Sequence, residues 1–384
     1  MRQTEGFTLK RIHHIPYLLP FGQRIAEQRH GIRINESGAF LWETIPKVQT
    51  KEELLSLFAK HYQAKPEDFS ELKNDMDTFL NQLTLLGMIE DNPPVSETAE
   101  TCFLNIGGLY LKLTAPEHAI SREFSPFLTE EHPQIDMHIE ITTTTGLTTS
   151  SMGKLLLHSE EIIVCERESD YLIYFPLAKQ IKEVILKKDG SHAHFYCYPP
   201  YREPLITDLF HAIRFVYFYL AQTRGMLALH SASILYKGKA WLFSGSSGTG
   251  KSTHTNLWHD KFGTSILNGD LNLVAGTEDG YVIHGIPWCG TSNIANPGTY
   301  PLGGIIHLKQ GDTNHCSSLS ADEKALLILQ RSISPAFTKK MLSSNLDFAQ
   351  RLSGNVFVTR LFCTKEPDAA EYMKCQIDQY EKQK

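Results

Sequence analysis

The sequence Gly245-Ser246-Ser247-Gly248-Thr249-Gly250-Lys251-Ser252 matches the pattern G-x-x-x-x-G-K-[ST] at every fixed position. Glycines permit positive φ and a close backbone approach, so that successive amides and the positive end of a helix dipole can point at anionic oxygens. An apolar run, residues 240–244, precedes the stretch, and residues 253–259 suit a helix. This order of strand, loop and helix predicts a site for the phosphates of a nucleotide.

We expect the nucleotide to be ATP, bound with Mg²⁺. Lys251 would reach the β- and γ-phosphates, and the Ser252 hydroxyl would ligate the metal ion. A glycine-rich turn with a solvated lysine is the alternative interpretation. The predicted nucleotide-binding residues are Gly245, Ser246, Ser247, Gly248, Thr249, Gly250, Lys251, Ser252 and Thr253.

The loop is entered from two strand-like runs, residues 227–236 and 239–244, which Lys237-Gly238 separates as a tight hairpin would. In an ordinary doubly wound fold, the loop instead follows a parallel strand reached through a helical crossover. The sequence therefore predicts a mixed sheet.

Asp270 is the one carboxylate in the next apolar run, residues 266–275. Such an aspartate holds the metal ion in phosphate-loop enzymes, and in a kinase it can accept the proton of the attacking hydroxyl. His230, on the strand paired with the loop's own strand, would polarise the γ-phosphate or orient this carboxylate. A turn aspartate and a hydrogen-bonded strand histidine are the alternatives. The predicted catalytic residues are Asp270, His230 and Lys251, and the predicted metal ligands are Ser252 and Asp270.

Four further residues lie near these motifs, and three of them have two interpretations. Arg331, in a predicted helix, could stabilise charge on the γ-phosphoryl group, or it could be a surface arginine. Trp288 and Cys289 could shape a pocket for acceptor or nucleotide, or form a buried turn. His254 is expected to be a solvated helix residue.

Composition limits the class of protein. The chain has 384 residues, for which roughly two to three domains are expected. Its formal net charge of −6 disfavours nucleic-acid binding, and no apolar run approaches the roughly 20 residues that cross a bilayer. Residues 1–11 lack a secretory signal, and the seven cysteines show no C-x-x-C spacing. We therefore expect a cytoplasmic protein with reduced thiols and no membrane partner.

Residues 1–92 predict a small N-terminal domain. Short extended segments at 14–20 and 31–35 are followed by three helices, of which Asn35 and Thr50 cap the first two. The third is predicted over residues 66–86, with Gly87 at its end. Short strands followed by three helices are typical of a winged-helix-like domain. The polar, proline-rich segment 91–101 is interpreted as a linker.

Residues 102–204 alternate β-branched and aromatic residues with polar ones, which predicts an antiparallel, β-rich middle domain of unassigned role. Residues 205–222 are apolar around most of a helix circumference and predict a buried helix. This helix opens a C-terminal domain, residues 205–384. The fold class expected for the whole chain is α/β and α+β, in several domains.

Residues 205–375 resemble the HPr kinase family, on the sequence LHSAS at 229–233, the loop GSSGTGKS and the later carboxylate. That family has a mixed-sheet fold related to phosphoenolpyruvate carboxykinase and phosphorylates a serine hydroxyl with Mg-ATP. The resemblance implies His230, Lys251, Ser252 and Asp270 as the active group. This chain has Gly269-Asp270 where bacterial HPr kinases have two adjacent aspartates.

Residues 15–90 resemble the PqqD-like domain, the leader-recognition element of pathways that modify ribosomally made peptides. The resemblance rests on Gly31, the sequence INESGA at 34–39, Trp42, TKEELLSLF and LTLLGMI. It implies that a leader peptide adds a strand to the sheet edge near residues 32–35. The leader's side chains would then contact the helix face around Phe79, Leu83 and Leu86, unless these residues are simply core.

The two resemblances together imply a peptide kinase of the kind found in lasso-peptide and related pathways. The leader-binding module would hold a precursor peptide, so that its serine or threonine meets the kinase at high effective concentration. A kinase of free serine or another small hydroxylated molecule is one alternative. A non-catalytic ATP-binding peptide adaptor is another. Homo-oligomerisation stays open.

Overall fold

The computed structural model describes residues 2–4, 6–26, 29–48, 50–65, 68–90, 99–144 and 152–383. These residues form two compact units. The first contains the described residues up to Glu90 together with residues 143–144 and 196–200. The second contains residues 99–142, 152–195 and 201–383. The predicted linker at 91–101 lies mostly outside the described residues.

The first unit combines a three-stranded antiparallel sheet and a two-stranded ribbon with helices. Its elements are β1 (Arg2–Gln3), β2 (Phe7–Ile12), β3 (Ile15–Pro20), α1 (Gln23–Ala26), β4 (Ile32–Arg33), α2 (Glu36–Thr44), α3 (Lys51–His61), α4 (Phe69–Leu85) and β5 (Ile89–Glu90). The sheet has the order β2-β3-β4, and β1 pairs with β5. The predicted strands and the three predicted helices are confirmed in their order.

Side-chain caps explain where the first two predicted helices begin. The Asn35 side chain accepts a hydrogen bond from the amide of Gly38 at 2.8 Å. The Thr50 hydroxyl accepts one from the amide of Glu53 at 3.1 Å. Each bond satisfies an amide that the first turn of a helix cannot pair internally. Both predicted caps are confirmed.

The core of the first unit draws on all three helices α2, α3 and α4. Its most buried side chains include Leu41, Trp42, Leu54, Met76, Leu80 and Leu83. The predicted apolar face of α4 was too long, because the Phe69 side chain is 41% exposed and that of Leu86 is 40% exposed. Both residues lie at the ends of the helix, where fewer neighbouring elements can cover them.

A nine-stranded sheet forms the first part of the second unit. Its strands are β6 (Ala99–Ile106), β7 (Leu109–Pro116), β8 (Leu128–Thr129), β9 (Met137–Thr143), β10 (Lys154–His158), β11 (Ile163–Glu166), β12 (Asp170–Tyr174), β13 (Ile181–Lys187) and β14 (His192–Cys197). They lie in the order β10-β11-β12-β13-β14-β9-β7-β6-β8. The prediction of an antiparallel layer was wrong at one pair, since β7 and β9 run parallel. The long connection through residues 117–136 supplies the crossover that a parallel pair requires.

The remainder of the second unit is a mixed sheet with helices. Its elements are α5 (Leu205–Thr223), β15 (Met226–Tyr236), β16 (Lys239–Ser244), α6 (Lys251–Phe262), β17 (Ser265–Asn268), β18 (Leu271–Thr277), β19 (Gly280–His284), β20 (Thr299–Gln310), β21 (His315–Ser317), α7 (Ala321–Leu329), α8 (Lys339–Asn355), β22 (Phe357–Cys363) and α9 (Asp368–Gln383). Strand β20 pairs in parallel with β16 and β22, whereas the other pairings are antiparallel. The predicted mixed sheet is confirmed.

The two halves of strand β15 pair with different neighbouring strands. Its first half pairs with β18, and its second half pairs with β16 and β17. The turn into β16 has positive φ at Lys237 (52°) and Gly238 (73°), as a two-residue hairpin of matching twist requires. The predicted hairpin is therefore confirmed.

Helix α5 links the nine-stranded sheet to the mixed sheet. The Tyr217 hydroxyl donates to the carbonyl of Ile106 at 2.9 Å, and the Gln222 amide donates to the carbonyl of Pro335 at 2.7 Å. Most of its side chains are buried, as the sequence predicted. Within the described residues, no helix is both long and apolar enough to cross a bilayer.

The Tyr217→Phe variant should lower the free energy of unfolding by about 1–3 kcal/mol, because the buried Ile106 carbonyl would lose its donor. Urea denaturation followed by tryptophan fluorescence measures this loss. Tyr281→Phe, on the partly exposed strand β19, is the matched control and should change stability by less than about 0.5 kcal/mol. Equal stability of the two variants would contradict the assigned role of the hydroxyl.

Candidate functional site

The glycine-rich loop connects strand β16 to helix α6. Gly250 adopts φ +97° at the N-cap of the helix, in the left-handed region that favours glycine. A Cβ at Gly245 would lie 2.6 Å from Thr249 Oγ1 and 2.9 Å from the carbonyl of Leu308, so no larger residue fits there. The backbone conformation at Gly250 and the lack of space at Gly245 thus explain why glycine occupies these two fixed positions of the sequence pattern.

The loop is held by hydrogen bonds that leave the start of the helix accessible. The Thr249 hydroxyl donates to the Ser246 carbonyl at 2.8 Å, and the Gln310 amide donates to the Gly248 carbonyl at 3.0 Å. Ser252 and Thr253 are exposed in the first turn of α6, where backbone amides have no partner within the helix. The amides and the helix dipole form an environment that favours an anion.

Two cations lie beside the loop. Lys251 Nζ and the Arg331 guanidinium each lie 3.4 Å from the carbonyl oxygen of Gly245. Burial lowers the pKa of Lys251, the nearby Asp270 carboxylate raises it, and Arg331 lowers it. Arg331 is partly buried and so is not the surface arginine of the alternative interpretation.

Asp270 lies at a sharp bend rather than inside one continuous strand. The predicted apolar run is divided into β17 and β18, because the Asn268 side chain accepts hydrogen bonds from the amides of Asp270 and Leu271. The amide of Ser231 donates to the Asp270 carbonyl at 2.8 Å. The turn interpretation was therefore right about the backbone, and the bend directs the carboxylate toward His230.

His230 lies next to this carboxylate, with Nδ1 3.3 Å from Asp270 Oδ1. Its main chain is fixed on both sides, since its amide donates to the Arg331 carbonyl and its carbonyl accepts from the Ser244 hydroxyl. Burial lowers the pKa of His230, and Lys251 and Arg331 lower it further, against the opposing effect of Asp270. A neutral imidazole can donate its Nδ1 proton to Asp270 and orient it.

The segment after β19 packs against the Asp270 bend. A Cβ at Gly290 would lie 2.9 Å from that of Asp270, and a Cβ at Gly269 would clash with Ser292. The Trp288 side chain is buried and donates from Nε1 to the Phe210 carbonyl at 2.9 Å, so it belongs to the core. Small residues at these positions therefore let the segment approach the carboxylate closely.

A cavity of about 450 Å³ opens beside Asp270 and His230 within the second unit. It is lined by α5, by the connections on either side of β11 and β12 in the nine-stranded sheet, and by the bend before β18. Its charged and titratable lining residues are Glu161, Asp208, His211, Arg214, His230 and Asp270. Burial lowers the pKa of Arg214, while the Asp270 and Glu161 carboxylates raise it.

The structure brings together the predicted Lys251, Asp270 and His230 with Arg331, for which a site role was one of two interpretations, and adds Arg214. Arg214 was missed as a site residue, although a single cation in an otherwise apolar helix is a signal for it. The prediction for His254 was wrong, because the side chain is only 2% exposed and its ring packs on Phe243. The third residue after Lys251 faces the sheet rather than solvent.

The first unit has its own candidate binding surface. Strand β4 pairs with β3 and is the end strand of its sheet among the described residues. A cavity of about 610 Å³ lies between the start of α2, the end of α3 and α4, with Asn35, Gly38 and Phe79 in its wall. Leu83 is fully buried core and cannot contact a peptide, whereas Leu86 is exposed.

Residues 25–89 match the family described as Coenzyme PQQ synthesis protein D (PqqD). The match covers β4 and the helices α2, α3 and α4, so the predicted PqqD-like domain is confirmed within the first unit. No curated protein matches the chain.

His254 should make the protein sensitive to acid. Burial lowers the pKa of its imidazole from 6.5 to about 4. Because the unfolded chain binds this proton more tightly, stability is complete above about pH 6.5 and declines as the pH falls towards about 4. Over this range, His254 should lower the free energy of unfolding by up to about 3 kcal/mol.

Urea denaturation at neutral pH and at about pH 4.5 measures this effect. His254→Leu should reduce the loss by the contribution of His254, whereas His158→Leu, at an exposed position of β10, should show the same loss as the wild type. An identical decline in all three proteins would show that other groups cause it.

Proposed function

We propose that the chain is a Mg-ATP-dependent kinase that phosphorylates a serine or threonine hydroxyl of a precursor peptide. The observation that carries the proposal is the convergence of four side chains beside the glycine-rich loop at residues 245–252. Lys251 and Arg331 lie at Gly245, and Asp270, which lies 3.3 Å from His230, is close enough to raise the Lys251 pKa against the larger effect of burial. Two cations beside one oriented carboxylate suit phosphoryl transfer to an alcohol.

The triphosphate would lie over the loop and the first turn of α6. The amides of residues 248–253 would donate to phosphate oxygens, and Lys251 would neutralise the β- and γ-phosphates. The Ser252 hydroxyl and the Asp270 carboxylate are hard oxygen donors and would hold Mg²⁺. When bound, the metal ion would neutralise part of the negative charge of the triphosphate.

Asp270 would accept the proton of the attacking hydroxyl, while His230 Nδ1–H would donate a hydrogen bond to Asp270 Oδ1 and fix the rotamer of the carboxylate. The acceptor oxygen would form a bond to the γ-phosphorus as the bond to the bridging oxygen of ADP breaks. Lys251 and Arg331 would stabilise the charge that develops on ADP and the transferred group. The proton on Asp270 then passes to solvent.

The acceptor side chain would enter the cavity beside Asp270. Its volume of about 450 Å³ accommodates a short side chain with adjoining backbone. The PqqD-like domain supports a peptide substrate, because domains of this family bind precursor peptides. An extended leader would add a strand to the outer edge of β4, and tethering would raise the effective concentration of the acceptor.

The charged lining of the cavity favours a second candidate substrate, free serine. Arg214 could pair with an α-carboxylate, while Glu161 and Asp208 could pair with an α-ammonium group. A non-catalytic nucleotide-binding adaptor is the third candidate, suggested by the glycine that replaces a second aspartate at position 269.

The Asp270→Asn variant should lower phosphoryl transfer by about 10²- to 10⁴-fold, because the acceptor hydroxyl would lose its base. Binding of free ATP without magnesium should be retained. The assay incubates the intact protein with ATP and candidate leader-bearing peptides, and follows the addition of a phosphoryl group by intact mass. Asp260→Asn, on the exposed side of α6, is the matched control and should be fully active.

Undiminished transfer by Asp270→Asn would refute the assigned base. Nucleotide binding by the wild type without a phosphorylated product, from peptide or from serine, would favour the adaptor.

The effect of the leader on KM distinguishes a peptide substrate from free serine, and both substrates are assayed with the intact protein. For the peptide kinase, removing the leader from the substrate should raise KM by about 10²-fold or more, and leader added in trans should inhibit. For a serine kinase, the leader should have no effect, and Arg214→Ala should raise the KM for serine. The result that contradicts a peptide kinase is an equal KM for leader-bearing and leaderless peptides.

A further inference from the structure

Two neighbouring strands of the nine-stranded sheet carry a cluster of histidine and glutamate side chains far along the chain from the phosphate loop. Glu140 lies on β9, and His192 and His194 lie on β14. The amide of His138 donates to the carbonyl of Ser191 at 2.9 Å, which helps to fix the register of the two strands. Alternation along each strand places these side chains on the less buried face.

The three side chains present their ligand atoms to one point. His192 Nε2 lies 3.7 Å and His194 Nδ1 lies 3.9 Å from the same carboxylate oxygen of Glu140. All three ligand atoms lie within 4.8 Å of one another. A tetrahedral zinc ion with bonds of about 2.0–2.1 Å separates its ligand atoms by roughly 3.4 Å. Small side-chain rotations are therefore sufficient to reach coordination distance.

The second nitrogen of His194 is already oriented. Nε2 lies 2.8 Å from the hydroxyl of Thr142, which follows Glu140 by two residues on the same face of β9. Metal-bound histidines usually have such an outer partner for the ring nitrogen that does not bind the ion, and it fixes the tautomer. With the proton on Nε2, the lone pair of Nδ1 faces Glu140.

Direct hydrogen bonds explain this arrangement less well. Both histidine nitrogens lie 3.7–3.9 Å from the carboxylate oxygen, which is longer than the roughly 2.7–3.2 Å of an N–H···O hydrogen bond. The separations are close to those between two ligands of one metal ion.

We propose that Glu140, His192 and His194 bind a first-row divalent metal ion, with Zn²⁺ as the best-fitting occupant. Two imidazoles and one carboxylate are a donor set that zinc prefers, and its remaining position is left for water or another donor. The site is independent of the Mg²⁺ expected at Ser252 and Asp270, whose ligands are hard oxygens.

The test uses the full-length protein after treatment with a chelator and dialysis. Co²⁺ is titrated as a spectroscopic probe, and Zn²⁺ affinity is measured by competition with a chromophoric chelator. The wild type should bind one equivalent at this site with the visible absorption of a low-symmetry nitrogen and oxygen environment. His192→Ala and Glu140→Gln should each weaken binding by at least about 10–100-fold. That is the loss seen when only a hydrogen-bond partner of a ligand is removed, and these variants remove a ligand itself.

Two further variants separate a built site from general surface binding. Thr142→Val should weaken binding by about tenfold, because it removes only the partner of His194 Nε2. His158→Ala, at an exposed position of β10, should bind like the wild type. Circular dichroism checks that each variant is folded. Unchanged affinity in His192→Ala and Glu140→Gln, or no binding by the wild type at micromolar metal, would overturn the proposal.

Discussion

The placement of strand β15 between its partners is the constraint on which the candidate site depends. One half of the strand pairs with β16, which leads into the glycine-rich loop, and the other half pairs with β18, which follows the Asp270 bend. The strand also carries His230 at the junction, where its neighbour Ser231 donates an amide hydrogen bond to the Asp270 carbonyl. A shift of one residue in this register would turn His230 away from Asp270.

The electrostatics of the site follow from this geometry. Lys251 and Arg331 share a partner in the Gly245 carbonyl. Burial lowers the pKa of the His230 imidazole, and these two cations lower it further. The site thus holds strong positive charge beside an oriented carboxylate. Such an arrangement is costly without a polyanion and favourable with one. The proposed triphosphate is a ligand that satisfies it.

The sequence predicted the features that depend on residues close to one another along the chain. The glycine spacing at 245–252, the hairpin at Lys237-Gly238 and the caps Asn35 and Thr50 depend on residues close in sequence, and each lies where expected. Features that depend on residues brought together by tertiary packing were harder to predict from the sequence. The bend at Asp270 depends on the Asn268 side chain, and the cation Arg214 reaches the site only because α5 packs beside it. The Glu140, His192 and His194 cluster arises from strand pairing across many residues and carries no short motif.

The proposed function requires the loop at residues 245–252 to bind a nucleoside triphosphate. Isothermal titration calorimetry with a non-hydrolysable ATP analogue and magnesium measures this binding, in the wild type and in Lys251→Ala. We expect one bound equivalent in the wild type and about 10- to 100-fold weaker binding in the variant, which loses a charge-assisted hydrogen bond to phosphate. Absence of binding by the wild type, or the same affinity in both proteins, would contradict it.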